Sequence, residues 1–246
     1  MMRMMSPLEN DWLMATPGQL VRVLAAALGV PEATLVVHDR NLMGVGLRSR
    51  KGRGRGAPSV TPRDLAHLIT AILGSAQVKD SASSVRRYSD TRPNAAGSNV
   101  ALFARIGIEE LAALPREHSF VDALEALMIA ASTGSLAKSL AARAAKLGAD
   151  KHSVAPLIEV AALTPGTSAD IRIAGVRRGA TASVNYAQLR PWDRPGVRQP
   201  GKREIEAWKD RVKRHRADTD LEQYRRISAK TILGAAHALI DTEEKP

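Results

Sequence analysis

The sequence predicts an α+β fold, mostly helical, with one small antiparallel β-sheet late in the chain. Three observations carry that expectation. Hydrophobic residues make up 44% of the 246 residues but aromatics only 3%, so a core has to be assembled from Leu, Ala, Val and Ile. Alanine and leucine lead the helix formers among these, and apolar residues recur at three- and four-residue spacing through most of the chain, the signature of one helix face. Between residues 169 and 189 the period changes to two: Ile171 and Ile173 flank Arg172, and Val184 and Tyr186 flank Asn185, the alternation of a half-buried strand.

The elements follow in order. Residues 1 to 15 are expected to form a short helix or a loose arm, with Trp12 and Leu13 available for packing. Thr16 is placed to cap a first helix with Pro17 in its opening turn, where a missing N–H does no harm. Leu20, Val23, Leu24, Ala27 and Leu28 share one face of that helix. Gly29 stops it, because glycine adopts the left-handed cap conformation without steric penalty. Val30 plugs the turn, Pro31 opens a second helix to about Met43, and Leu35 and Leu42 stand one heptad apart on it. Gly44 and Gly46 end it. After a basic loop, Thr61-Pro62-Arg63-Asp64 repeats the start signal, and Leu65, Leu68, Ile69 and Leu73 form the apolar stripe of a third helix expected to cover the first two.

Residues 76 to 99 lose periodicity and are rich in Ser, Asp, Asn and Gly, so a linker or long loop is expected there. Helix returns over 100 to 147, with one stripe at Ile106, Leu111 and Leu114, a second at Phe120, Leu124, Leu127 and Met128, and Pro115 between them. A third, alanine-rich piece stops at Gly148. Residues 153 to 188 read as three short strands, with a tight turn at Thr164-Pro165-Gly166-Thr167. The segment 190 to 202 holds three prolines and two glycines and reads as a connector. Beyond it, Ile205, Trp208 and Val212 line one side of a basic amphipathic helix, suited either to surface packing through Trp208 or to lying on DNA. Ser228 is placed to cap a last helix whose Ile232, Leu233, Ala236 and Leu239 face a core. The expected division is 1–75, a linker at 76–99, 100–189 with the sheet, and 190–246 with the connector and the C-terminal helices.

Charge points to a partner. Lys and Arg exceed Asp and Glu to give a net charge of +11, which favours an anionic partner, either nucleic acid or a membrane surface. The cations concentrate: Arg48, Arg50, Lys51, Arg53 and Arg55 fall within eight residues with no acidic neighbour, and Gly52, Gly54 and Gly56 alternate with the last of them. Glycine lets a backbone approach a phosphate closely, and arginine matches phosphate with a planar fork. The segment is not a nucleotide-binding P-loop, since no Lys-Ser or Lys-Thr follows the glycines.

Leu24, Ala25, Leu28, Gly29, Val30, Thr34, Leu35 and Leu42 together resemble the helix-turn-helix of bacterial transcription factors. Leu47 and the RSRKGRGRG that follows look like the wing of the winged variety. The resemblance covers residues 16 to 75. It implies an N-terminal winged helix-turn-helix, a second helix entering the major groove of double-stranded DNA, and a wing along the backbone. Val36 and Val37 stand mid-helix where the family often carries Ser, Arg or Gln. The implied DNA contacts are Thr34, His38, Arg40 and Asn41 on the helix, Arg48, Arg50, Lys51, Arg53 and Arg55 in the wing, and Arg63 at the start of the third helix. The same residues also suit an ordinary buried helical hairpin followed by a solvated loop.

Several classes are set aside. There are no cysteines, hence no disulfide and no thiolate zinc site. No Gly-x-Ser-x-Gly elbow, His-Glu-x-x-His pair or dinucleotide fingerprint occurs. His118 beside Glu117 has no second ligand at workable spacing. No enzyme activity, cofactor or metal is expected. No apolar run reaches the length of a membrane span, and the opening residues lack a signal peptide's apolar core, so cytoplasmic, nucleoid-associated residence without membrane contact is expected. The favoured role is a transcriptional regulator of bacterial or phage type, acting as a homo-oligomer, with residues 100 to 246 available to a protein partner. Two alternatives remain. One is a structural DNA-handling protein, such as a small terminase-like packaging subunit or a replication or partition accessory. The other is an adaptor whose basic faces bind acidic protein or RNA.

Overall fold

A central helix, α3 (Pro62–Gly74), organises the molecule. The computed structural model describes residues 16–49, 60–94, 103, 107–146, 158–177, 180–188, 190, 192, 198–216, 222–237 and 239. Every residue of α3 from Asp64 to Gly74 is buried. The sequence pattern suggests a helix with one apolar stripe, yet all sides of α3 are covered. Ala66, Ala71 and Gly74 on the remaining faces are small enough to let neighbours close in. The closest approach is at Gly74, where an added Cβ would meet Cε2 of Tyr88 at 2.3 Å.

The N-terminal hairpin matches its expected bounds closely. Helix α1 (Pro17–Leu28) starts with a capping box: the Thr16 hydroxyl accepts from the Gln19 N–H, and the Gln19 side chain accepts from the Thr16 N–H. Gly29 has φ +65, the left-handed region that favours glycine. Helix α2 (Glu32–Gly44) follows and buries Leu35 and Leu42 against α1 and α3.

Residues 78 to 93 depart from the expected linker. A single 3₁₀ turn (Val78–Asp80) leads into α4 (Ser81–Ser89) and strand β1 (Thr91–Pro93). The reason is that serine serves as packing there. Ser81, Ser84, Val85 and Tyr88 are fully buried, a helical stripe of small residues completed by one aliphatic and one aromatic anchor. The Tyr88 hydroxyl lies 2.8 Å from the carbonyl of Leu163 and 3.2 Å from that of Ser168, so it fixes α4 to the hairpin after β2.

Helices α5 (Glu109–Ala112), α6 (Phe120–Ser132) and α7 (Ser135–Lys146) come next. Helix α6 opens on a capping box of Ser119 and Asp122 and lies along α3. Strands β2 (Ile158–Thr164), β3 (Ser168–Arg177) and β4 (Ala180–Gln188) form the expected antiparallel meander. Two further strands extend it: the order is β1-β4-β3-β2-β5, with β5 at Gln223–Ser228. The inner face presents Val160, Ile171, Ile173, Val184, Tyr186 and Ile227 to the helices. On the outer face Glu159 pairs with Arg172 at 3.5 Å and Arg226 at 3.2 Å.

Strand β5 reads as polar, QYRRIS, because its inward Arg225 is not apolar. Its guanidinium instead donates to the carbonyls of Ile72 at 2.7 Å and Ser75 at 2.8 Å, closing the C-terminal end of α3. A basic helix, α8 (Lys202–Arg216), precedes β5, and its Trp208 ring meets Trp192 edge-on at 5.5 Å. The last helix, α9 (Ala229–His237), packs on α1 and α6. One continuous apolar cluster therefore runs from Leu20 to Leu239 across the expected division at residue 75. No single helix among the described residues is long and apolar enough to cross a membrane.

Candidate nucleic-acid interface

Four elements cover α2: α1, α3, the 3₁₀ turn and α4. What they leave open is one stripe, Ala33, Val37, Arg40 and Gly44, at spacings of four, three and four, which is one side of a helix. Val37 is 44% exposed, and Val45 just beyond the helix is 43% exposed. Arg40 has no ion-pair partner among the described residues and is exposed.

The remaining expected readers on α2 are less exposed. Thr34 is half-buried. His38 is 4% exposed, and its Nδ1 lies 2.8 Å from the Ser81 hydroxyl. Ser81 gives its single proton to the Val78 carbonyl, so it accepts from the ring, which fixes the Nδ1–H tautomer. Burial, with Arg225 adding to it, lowers the His38 pKa from 6.5 to about 4. The ring is therefore neutral and has no surface to offer a base, which corrects the expectation for His38. The amide nitrogen of half-buried Asn41 donates to the Val78 carbonyl at 2.8 Å. Ser81 at the start of α4 and Val78 in the 3₁₀ turn, which take up these two side chains, lie in the segment read as a loop, so the sequence pattern held no sign of them.

Two of the expected phosphate contacts are likewise structural. Arg48 is 4% exposed, and its Nε lies 2.6 Å from Oδ1 of Asp39, an ion pair at the C-terminal end of α2. Burial pushes the Asp39 carboxyl up and Asp64 adds to it, while Arg48 pulls the other way. A buried guanidinium held in this way does not reach a phosphate. Arg63 contacts Asp122 at 2.6 Å and Glu125 at 2.8 Å, tying α3 to α6. Burial alone would raise the Asp122 carboxyl, but donors on Arg63 and Ser119 hold it below the usual range. With two carboxylates on Arg63, its positive charge is already answered.

The root of the basic segment is the best-built feature of the region. The carboxylate of Asp64 accepts from the N–H of Ser49 at 3.1 Å through Oδ1. Through Oδ2 it accepts from the N–H of Thr61 at 3.0 Å and from the Thr61 hydroxyl at 2.9 Å. One side chain thus joins the two ends of the segment. The Leu47 carbonyl accepts from Nδ1 of His67 at 2.6 Å, and Val60 is buried on the far side. Arg50, Lys51, Arg53 and Arg55 fall outside the described residues. Sequence reasoning missed Asp39 and the anchoring role of Asp64. The signal for Asp64 was its place three residues after Thr61, the capping-box spacing.

Among the described residues no three His, Asp or Glu side chains converge as metal ligands would. His118 is a core residue. Its Nδ1 donates to the Pro115 carbonyl at 2.7 Å, and its Nε2 accepts from the Tyr186 hydroxyl at 2.8 Å. Compared with protein-family models, with curated proteins and with solved structures, the chain matches none.

Proposed function

We propose that this protein binds double-stranded DNA and regulates transcription, with α1 and α2 acting as the helix-turn-helix and the basic segment as its wing. In this reading the open stripe of α2 faces the major groove, and Arg50, Lys51, Arg53 and Arg55 neutralise phosphates beside it. His38, Arg48 and Arg63 drop out as DNA contacts, and their part is to hold α2 and the wing root in place. The role is binding rather than catalysis.

The observation that carries the reading is the Asp64 clamp. Ser49 and Thr61, the described residues on either side of the cationic, glycine-broken stretch, are tied by one carboxylate, and Ser49 follows the end of α2 by five residues. The Thr61 contacts are the capping box of α3, and the bond from Ser49 is what adds the tie across the segment. The net charge of +11 supplies the matching long-range attraction.

The test replaces Arg50, Lys51, Arg53 and Arg55 with alanine. Affinity should fall across all duplex sequences. The plot of log affinity against log salt should flatten by roughly 3 to 4, since each phosphate contact contributes ~0.9. Unchanged affinity and slope would overturn the reading. Competition by RNA as strong as by duplex DNA would favour an adaptor instead.

A further inference from the structure

We propose that α2 selects its DNA through the C5-methyl groups of thymine, with Arg40 as its exposed cationic reader. This rests on the DNA-binding reading above and adds the chemical feature that would be recognised.

The inference follows from what the fold leaves uncovered. A helix in the major groove discriminates best with side chains that bond two base atoms at once, such as Asn or Gln on adenine. Here the one such amide on α2, Asn41, already donates to Val78, and the imidazole of His38 is buried against Ser81. The exposed side chains on α2 are Glu32, Ala33, Val37 and Arg40. Methyl and isopropyl groups have one favourable counterpart on a base edge, the thymine methyl, while arginine has guanine O6 and N7.

The spacing suits a duplex. Ala33 and Val37 are four residues apart and Arg40 three further on. At ~1.5 Å per residue the three span roughly 10 Å of helix axis, about three base steps at ~3.4 Å each. A preferred site therefore carries thymines at two nearby steps and a guanine beyond them. Glu32, exposed in the first turn, opposes a phosphate there, so the helix start is not a backbone contact in this arrangement.

DNA is a better occupant of this face than a second protein. The fold's exposed large apolar side chains, among the described residues, are Val37, Val45 and Tyr224. Two valines and an alanine with an arginine among them fall far short of the ~800 Å² per partner of a standard protein interface. The net charge of +11 suits a phosphate backbone.

The experiment measures binding of the full chain to three 30-base-pair duplexes by fluorescence anisotropy. One is rich in A·T pairs, the second is the same sequence with every thymine replaced by deoxyuridine, and the third contains only G·C pairs. Deoxyuridine pairs as thymine does and lacks only the methyl. At ~0.8 kcal/mol for each buried methyl-sized group, two contacts correspond to about a tenfold preference for the thymine duplex over its deoxyuridine twin. Val37→Ser removes one of the two methyl contacts and should shrink that preference to about threefold. Equal binding of the thymine and deoxyuridine duplexes overturns the inference while the DNA-binding reading stands. A preference undiminished in Val37→Ser also overturns it, because the methyls are then sensed elsewhere. Failure to bind any of the three overturns both.

Discussion

Asp64→Asn puts the clamp between Ser49 and Thr61 to the test. Three donors converge on the two carboxylate oxygens: the N–H of Ser49, the N–H of Thr61 and the Thr61 hydroxyl. An amide has one acceptor oxygen. Whichever way it flips, its NH₂ group faces the N–H of one end of the segment, so one end is released. Hydrogen bonds to a charged group are worth about 1.5–3 kcal/mol net, and loss of an N-cap contact about 1 kcal/mol. Removing the like charge near Asp39 offsets part of this. The expected destabilisation is about 2 kcal/mol, which for a chain of this size is roughly 4–8 °C in Tm by circular dichroism. On the proposed DNA-binding reading, affinity for duplex DNA supplies a sharper readout. The substitution removes a negative charge, so electrostatics alone would strengthen binding; loosening the root should weaken it. A Tm within about 1 °C of the parent, or tighter DNA binding, would refute the clamp.

Two further perturbations follow from the core. His38 has its pKa depressed from 6.5 to about 4 by burial and Arg225, so its contribution to stability is complete above pH 6.5 and is lost as pH falls towards 4. The ceiling is about 3 kcal/mol from the 2.5-unit gap. Because burial lowers His67 and His118 as well, urea midpoints at pH 7.5 and 4.5 should be compared between the parent and His38→Gln; equal losses in both would show that His38 is not the group. Gly74→Ala would set a Cβ 2.3 Å from a Tyr88 ring that is fully buried and bonded through its hydroxyl. Overpacking of about 1–3 kcal/mol should outweigh the ~1 kcal/mol that alanine gains over glycine in a helix, and a variant more stable in urea than the parent would contradict that contact.

Local signals placed much of this fold. Thr16-Pro17, Gly29 and Thr61-Pro62 mark helix ends by chemistry that acts within a few residues, and α1, α2 and α3 begin and end within a residue or two of those marks. The alternation around Arg172 and Asn185 likewise revealed β3 and β4. Of the elements that escaped, α4 and β5 did so because their inward residues are polar. Ser81 and Ser84 pack as small groups in α4, and Arg225 points inward from β5 to the end of α3. The candidate site was less legible for a related reason. Helical spacing shows which α2 residues share a side, but which side stays open is decided by what packs on it. His38 is closed off by Ser81, forty-three residues away, and Arg63 is taken by Asp122 and Glu125, about sixty residues away. Contacts of that range leave no periodic trace in either segment.

The last strand and helix of the chain hold up its first helices. Arg225 finishes the end of α3, and α9 lies against α1. During synthesis the hairpin leaves the ribosome long before the segment it rests on. A product terminated ahead of residue 223 lacks both supports, so truncated copies would carry the cationic segment without a rigid reading helix. On the DNA-binding reading, occupancy of the genome is thereby reserved for chains translated past residue 237.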